Sequence, residues 1–311
     1  MQKEFLVGYS GFVGSNLAFE HEFNGLFNSK NISSAYGEKP DILVYSGVRA
    51  KMFLANSNPQ LDFEQIKEAI SNIKKISPKT TVLISTVAVY DNTSADEDGI
   101  IDENKLSAYG KNRLFLEKWV SENCNDFLIV RLPALYGINL KKNFIYDYIN
   151  RIPSMLSEKK FIELAEKEKI LLNYYKVAEN NFYKCISLTN KEKILLKSIF
   201  ENLGFNSLNF TDSRSVYQFY NLKNLWQHIK TALDNNLKLI NLVTPPISAG
   251  DLYLSLSSKS FVNELDKPPF NYNLKTKHFA LYGGSNGYIS THEQVLYDIK
   301  SFVENMQRQQ L

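Results

Sequence analysis

Cysteine is scarce: Cys124 and Cys185 are the two in 311 residues. They form no C-x-x-C or Cys/His ligand spacing, which excludes a disulfide framework and points to a reducing, cytoplasmic setting. Histidine is also sparse, and His21, His228, His278 and His292 are scattered without an H-E-x-x-H pair, so no protein-built metal site is expected. Neither sign of charge dominates, with 36 Lys and Arg against 33 Asp and Glu, a formal +3. Binding nucleic acid by counterion release needs a broad cationic surface, and this balance does not supply one. Long apolar runs are missing too. No stretch approaches the roughly 20 residues that cross a bilayer. At the N-terminus Lys3 and Glu4 precede an apolar run from Phe5 that breaks at Gly8, unlike a secretory leader.

What is present is a chain that is 44% hydrophobic, enough to fill a substantial core. Its first half alternates short apolar runs with longer amphipathic ones, the pattern of βαβ units and a parallel sheet. Strands are expected at Phe5 to Val7, weakly at Leu26 to Asn28, then at Ile42 to Tyr45, Thr81 to Ser85 and Phe127 to Leu132. Helices are expected at Val13 to Phe23, Leu61 to Ile76, and from a Ser107 cap to Asn123. Beyond Pro133 the alternation stops, and two helical stretches follow, Lys160 to Asn180 and Asn190 to Leu203, the second opened by Thr189 and Glu192 at capping-box spacing. Sheet-like sequence returns at Val216 to Tyr220 and Leu237 to Val243, around a helix at Leu222 to Leu233. The chain leaves again from Ser248 and ends in a helix opened by Thr291 and Gln294.

The expected fold is therefore α/β: a Rossmann-like, doubly wound parallel sheet with a smaller, mostly helical part. Residues 1–145 and 214–247 would form the dinucleotide-binding domain, and 146–213 and 248–311 the substrate-binding part.

Gly8, Gly11 and Gly14 stand at G-x-x-G-x-x-G spacing directly after the first strand and at the mouth of a helix. The first lets the chain turn, the second lets backbone approach a pyrophosphate, and the third lets helix pack on strand. Free N–H groups and the positive end of the helix dipole then face the phosphates. Gly8, Ser10, Gly11, Phe12, Val13 and Gly14 are the expected cradle. A tight turn without ligand is the plainer reading, and the position of the loop in an α/β pattern favours a dinucleotide. The end of the second strand carries Ser29 and Lys30 and no carboxylate, which suits a 2′-phosphate better than a 2′-hydroxyl and leans to NADP, with NAD left open.

The strand TVLIS ends in Ser85 and Thr86, and downstream lie Tyr109 and, four residues on, Arg113. Positions i and i+4 share a helix face, and ligands of parallel sheets bind at strand C-terminal ends, so a hydroxyl, a phenol and a cation can converge beside a nicotinamide. Here the chain resembles the extended branch of the short-chain dehydrogenase/reductase superfamily, which modifies nucleotide sugars. The matching pieces are GYSGFVG, the turn after DILVYSG, STVAVY, YGKNR with Glu117 beyond it, and RLPALYG. The later VYQFYNL and NLVTPPIS look like the family's return to the sheet.

The resemblance implies that Tyr109 donates or accepts the proton, that Thr86 holds the sugar oxygen, and that Arg113 stands where the family carries a lysine on the nicotinamide ribose. It also implies that Ser46, Gly47, Ser85 and Leu132 line the dinucleotide, and that Thr86, Val87, Tyr109 and Arg214 touch substrate. Arg131, Lys141, Lys142, Lys275 and Lys277 are further candidate pyrophosphate contacts. Arginine keeps positive charge beside the phenol, but it cannot relay a proton as lysine can.

The family's dehydratases carry Asp-Glu after the strand-end threonine, where this chain has Val87 and Ala88, so dehydration is disfavoured. Keto-sugar reduction and epimerisation remain, with a catalytically silent dinucleotide-binding sensor or assembly protein as the alternative that Arg113 recommends. Tyr90 and Tyr136 read as structural, and the acidic run Asp96, Glu97, Asp98, Asp102 and Glu103 as a solvated loop. Helices Leu61 to Ile76 and Ser107 to Asn123 are candidates for a homodimer's helix bundle.

Overall fold

The computed structural model describes residues 2–178 and 181–308. Its central sheet is built from β1 (Glu4–Val7), β2 (Gly25–Phe27), β3 (Ile42–Tyr45), β4 (Thr80–Thr86), β5 (Asp126–Leu132) and the strand Leu239–Asn241. These pair in parallel, in the order Leu239–Asn241, β5, β4, β3, β1, β2. The Rossmann-like α/β fold expected from the sequence is thus the one observed.

Side chains alternate across a strand, so each short apolar run feeds two cores. On one face Leu6, Val44, Val82, Leu128, Val130 and Ile240 pack with Leu17 of α1 (Phe12–Glu20) and with Trp226 and Ile229 of the helix Leu225–Asp234. On the other, Phe5, Val7, Leu43, Tyr45, Leu83 and Ile129 meet Ile66 and Ile73 of α3 (Pro59–Ile76) and Leu116 and Val120 of α4 (Ala108–Asn123). A short helix, α2 (Met52–Ser57), precedes α3. Both long helices start where the sequence supplies a cap: the Asn58 side chain accepts from Leu61 N–H with Pro59 at the first position, and Ser107 accepts from Gly110 N–H.

The chain divides into two compact units, Met1–Leu140 with Tyr217–Pro246 and Asn271–Val295, and Lys141–Val216 with Ile247–Phe270 and Leu296–Leu311. The sheet unit therefore takes back residues 271–295, beyond the boundary at 248 expected from the sequence. Backbone bonds fasten that return: Asn273 N–H to the Thr93 carbonyl at 2.7 Å, Lys275 N–H to Ala95 at 2.9 Å and Ile289 N–H to Val243 at 3.0 Å. The acidic run lies under it and is not simply solvated. Glu97 accepts from Asn241 N–H (2.8 Å), Thr276 Oγ1 (2.6 Å) and Lys277 N–H (2.9 Å), and Asp98 takes the Lys277 ammonium.

The second unit corrects the expectation of one helix over 160–180, whose last two residues lie outside the described ones. Helix Glu158–Lys167 is followed by one turn at Leu171–Tyr174, and then by strand Tyr175–Val177. That strand joins Met155–Ser157 and Phe182–Cys185 in an antiparallel sheet, with Phe182–Cys185 in the middle. The period of apolar residues suits a helix, but aromatic burial decides. Tyr183 stacks on Phe161 at 4.0 Å and the Tyr175 hydroxyl donates to the Pro153 carbonyl at 2.5 Å, contacts that the pleated arrangement brings together. Among the described residues no helix is long and apolar enough to cross a membrane.

Candidate active site

The direction of strand order reverses between β1 and β3, which leaves a crevice beyond their C-terminal ends where ligands of such sheets bind. Both walls of this crevice are backbone. Gly8 has φ +92°, and a Cβ there would lie 2.6 Å from the Ser46 carbonyl oxygen. The Gly8 N–H donates to the Phe27 carbonyl at 2.7 Å, tying the turn to β2 as well. A Cβ on Gly14 would stand 2.1 Å from the Gly8 carbonyl oxygen, so only glycine lets α1 press against the turn. Gly11 is the N-cap of α1 and supplies no side-chain cap, so the first N–H groups of the helix keep their donors for a ligand. Ser10 and Gly11 are exposed, while Phe12 and Val13 pack on the core behind. The cradle fits a diphosphate.

Around it, Ser29 and Lys30 are exposed just past β2. The Ser46 hydroxyl donates to the Val7 carbonyl at 2.9 Å, locking the end of β3 to β1, and Gly47 beyond it is exposed. Leu132 sends its side chain into the core, so only its backbone faces the sheet edge. Ser85 is drawn inward: its hydroxyl donates to buried Glu117, which is paired with buried Arg131 at 2.7 Å. Arg131 is thereby withdrawn from the candidate pyrophosphate contacts.

One residue later the strand turns outward. Thr86 Oγ1 accepts from Ala88 N–H at 3.1 Å, capping the turn Val87–Val89 and leaving its hydroxyl hydrogen to donate elsewhere. Tyr109, in the first turn of α4 and 5% exposed, brings its phenol to this hydroxyl. The Arg113 guanidinium stacks over the Tyr109 ring, 4.3 Å from its centroid. Burial pushes the phenol above its ordinary value; Arg113 pulls it down, Asp62 works against Arg113, and Thr86 adds a smaller downward pull. Val87, beside Thr86, is buried and packs with Val89 and Leu114.

Arg113 does not project freely. Its Nη1 and Nη2 bind Asp62 of α3 at 2.8 and 3.0 Å, and Nη2 also donates to the Arg49 carbonyl at 2.7 Å. Asn112 Nδ2 donates to the same carboxylate at 2.9 Å and to the Pro59 carbonyl at 3.2 Å, and Tyr109 N–H donates to Asn56 Oδ1 at 3.0 Å. The first turns of α4 are thus clamped to residues 49–62. Sequence reasoning missed Asp62 and Asn56. The available signal was the arginine itself, since a cation on the buried face of a helix requires a carboxylate nearby.

The remaining candidate cations have partners of their own or are exposed. Arg214, in the second unit, is held by Asp212 at 2.7 Å and Glu264 at 2.8 Å. Lys275 sits 3.6 Å over the Tyr288 ring and donates to the Asn286 carbonyl, and Lys141 and Lys142 are exposed. No group of three or more His, Cys, Asp or Glu among the described residues is arranged to hold a metal ion.

Residues 13–161 match the family model described as the RmlD substrate binding domain. No curated protein sequence matches the chain. Among solved structures, RMD from Pseudomonas aeruginosa complexed with NADPH is similar at 15% identity and TM-score 0.62, over 98% of this chain and 100% of that one. A dTDP-4-dehydrorhamnose reductase from Bacillus anthracis in complex with NADP is 16% identical, TM-score 0.62, over 98% and 99%. UDP-glucose 4-epimerase from Thermotoga maritima with UDP-glucose is 12% identical, TM-score 0.59, over 98% and 99%. At these identities the structural likeness is one of fold. Together with the family match, it bears out the resemblance to extended short-chain dehydrogenase/reductases read from the motifs.

Proposed function

We propose that this chain is an NADP-dependent oxidoreductase acting on a nucleotide-linked keto-sugar, by reduction or by epimerisation through a keto form. The observation that carries the proposal is the meeting of Tyr109, Thr86 and Arg113 at the C-terminal end of β4, on the sheet edge that also holds the glycine cradle. The cradle would take the pyrophosphate on Gly11 to Gly14, and Ser29 and Lys30 would face the 2′-phosphate, with NAD the alternative cofactor. The bound dinucleotide supplies or removes a hydride. Thr86 would donate a hydrogen bond to the reacting sugar oxygen, and Tyr109 would exchange the proton with it. The relatives solved with NADPH, NADP and UDP-glucose support this choice of cofactor and substrate class. The second unit is the candidate for holding the sugar nucleotide, and Arg214 there is already paired with Asp212 and Glu264.

A non-catalytic sensor on the same fold has one observation in its favour, the commitment of Arg113 to Asp62. Purified protein mixed with NADPH and a panel of nucleotide keto-sugars separates the two readings. Cofactor oxidation that disappears in Tyr109→Phe, with dinucleotide affinity retained, is expected. Tight cofactor binding without turnover, indifferent to Tyr109→Phe, would mean a sensor. Leu61 on α3 and Phe115 on α4 are exposed apolar residues, which supports a homodimer through these helices; a sedimentation mass of one chain would rule that out.

A further inference from the structure

The two arginines of the 141–216 segment differ in how their charge is matched. Arg214 is held by Asp212 at 2.7 Å and by Glu264 at 2.8 Å. Among the described residues no carboxylate pairs with Arg151. Arg151 stands just past the helix Phe144–Asn150 with φ +59°, a left-handed backbone that glycine takes at least cost. Its N–H donates to the Asp147 carbonyl at 2.9 Å, and its carbonyl accepts from Ser207 N–H at 3.0 Å, so the strained position is locked. The side chain is locked too. Nε donates to the Tyr148 carbonyl at 2.9 Å, and the guanidinium carbon lies 4.7 Å from the centre of the Tyr148 ring and 5.4 Å from that of Tyr253. These contacts fix the guanidinium and leave its Nη groups to meet a ligand. The carbonyls that would repel an anion at this helix end are engaged: Tyr146 by Asn150 Nδ2, Asp147 by Arg151 N–H and Ser207 Oγ, Tyr148 by Nε.

Two ammonium groups lie near enough to feel this charge. Lys193 and Lys197 sit one turn apart on the helix Asn190–Asn202, and both are half-buried. Burial pushes the Lys197 ammonium below its ordinary value, and Arg151 and then Lys193 push it further; Glu201, one turn along, opposes them more weakly. Like charges gathered in this way lose stability that a bound anion restores. We propose that Arg151, Lys193 and Lys197, with the hydroxyls of Tyr148 and Tyr253, form a binding site for a phosphate group. Three cations suit a dianion. A carboxylate would cancel one of them, whereas a phosphate monoester carries about −1.5 to −2 at pH 7 and presents three acceptor oxygens. The arginine fork matches two oxygens at once, and the ammonium groups act as point charges. The Tyr148 hydroxyl, within hydrogen-bonding reach of the guanidinium, adds a neutral donor. Free phosphate, a phosphorylated small molecule and a nucleotide all offer this group. The site belongs wholly to the second unit and does not depend on the reading of Tyr109.

The test uses the full chain carrying lysine labelled with carbon-13 at the ε position, with Lys193 and Lys197 assigned by their loss in Lys193→Gln and Lys197→Gln. At pH 7 inorganic phosphate should move both signals saturably, and chloride at the same ionic strength should not. Arg151→Met should weaken phosphate binding about tenfold or more, the loss of charge-assisted hydrogen bonds. UDP in place of phosphate distinguishes the sources: saturation at lower concentration than phosphate identifies a nucleotide, and saturation by phosphate alone identifies free or monoester phosphate; both retain the site. If chloride moves the two signals as phosphate does, the inference fails, and that comparison stands even should Arg151→Met not fold. It fails equally if a folded Arg151→Met binds phosphate as the native protein does. Because the reporters lie in the site itself, this result is separable from failure of the functional reading, which would appear as absence of dinucleotide binding or turnover.

Discussion

Two tyrosine–arginine–carboxylate clusters stand at the ends of neighbouring strands and share helix α4. In one, Arg113 lies over Tyr109 and binds Asp62; in the other, Arg131 lies 4.7 Å over Tyr90 and binds Glu117. Burial raises both phenols and the arginine opposes it in each. What differs is where the remaining hydrogen bonds go. Tyr90 exchanges bonds with Asn241, which also donates to the Lys275 carbonyl, and Glu117 takes the Ser85 hydroxyl, so these polar groups are satisfied by the surrounding structure. Tyr109 faces Thr86, whose hydroxyl hydrogen is uncommitted by its capping role. Similar components thus give one cluster whose hydrogen bonds close on the surrounding structure and one whose phenol faces an alcohol at the strand end, and the proposed acid–base role of Tyr109 rests on that difference.

The sharpest way to break this comparison is to remove each hydroxyl. Tyr109→Phe should lower turnover by about 10² to 10⁴-fold, the usual contribution of a general acid, with cofactor affinity unchanged. Tyr90→Phe should leave turnover nearly intact and reduce stability by about 1 kcal/mol, one hydrogen bond's net worth. Steady-state rates and denaturant midpoints on the two variants decide it; equal losses of turnover would mean that the clusters are not functionally distinct.

Next in size is the closed cluster's ion pair. Glu117→Ala would strand a guanidinium that is 6% exposed on its side chain, which should destabilise the protein by about 3–5 kcal/mol. Glu117→Gln keeps the hydrogen bonds to Ser85 and Arg131 in part and should lose less. Chemical denaturation measures both, and dinucleotide binding by the folded fraction should survive. A Glu117→Ala protein as stable as its parent would show that the pair closes nothing.

Both clusters have their charges matched, so the pH dependence of stability should come from half-buried groups that lack a counter-charge. His228, bonded to the Tyr220 hydroxyl at 2.8 Å, is pushed down to about 4 by burial. The unfolded chain takes that proton near 6.5, so this contribution is complete above 6.5 and is lost as pH falls through 4. Asp147, in the second unit, is pushed up to about 7 by burial. Its contribution is complete below the ordinary carboxylate value of 3.8 and is lost as pH rises through 7. The two slopes oppose each other in weakly acid solution. Asp147→Asn should unmask the histidine, giving a stability that climbs from pH 4 to 6.5 and lies a few kcal/mol above the parent at pH 8, at about 1.4 kcal/mol per unit of displacement. An unchanged profile would mean that Asp147 finds a counter-charge or water in solution.

How far the sequence disclosed this depends on the range of each interaction. The glycine cradle, the strands and the caps at Ser107 and Thr189 are set by neighbours within a few residues, and were legible. Thr86 and Tyr109 were legible because strand-end and helix-start positions follow from those elements. Asp62 lies 51 positions from Arg113 and Glu117 lies 32 from Ser85, and no local pattern encodes either contact. Glu97 looked solvated because its three donors come from residues 241, 276 and 277. The strand Tyr175–Val177 was hidden for a related reason: its apolar spacing suits a helix until Phe161 and Pro153 come close in space.

The smallest expected effect concerns a charge of the opposite kind, exposed and unclamped. Lys30 follows β2 in a turn held by Asn28 and Asn31, whose side chains accept from Lys30 N–H and Asn28 N–H. The turn therefore fixes the backbone and leaves the ammonium in solvent, so its attraction for a 2′-phosphate is worth about 1 kcal/mol and is screened by salt. Lys30→Ala should weaken NADP binding about fivefold at low ionic strength and leave NAD binding unchanged, with the difference fading in high salt. Calorimetric titration with both dinucleotides measures this. Equal weakening of NAD and NADP would mean that Lys30 touches the shared part of the cofactor, and no effect on either would return it to the ordinary solvated surface. Either outcome would move the search for the phosphate-reading residue to another cation, whereas the buried arginines would keep their roles, because neither depends on a charge held in water.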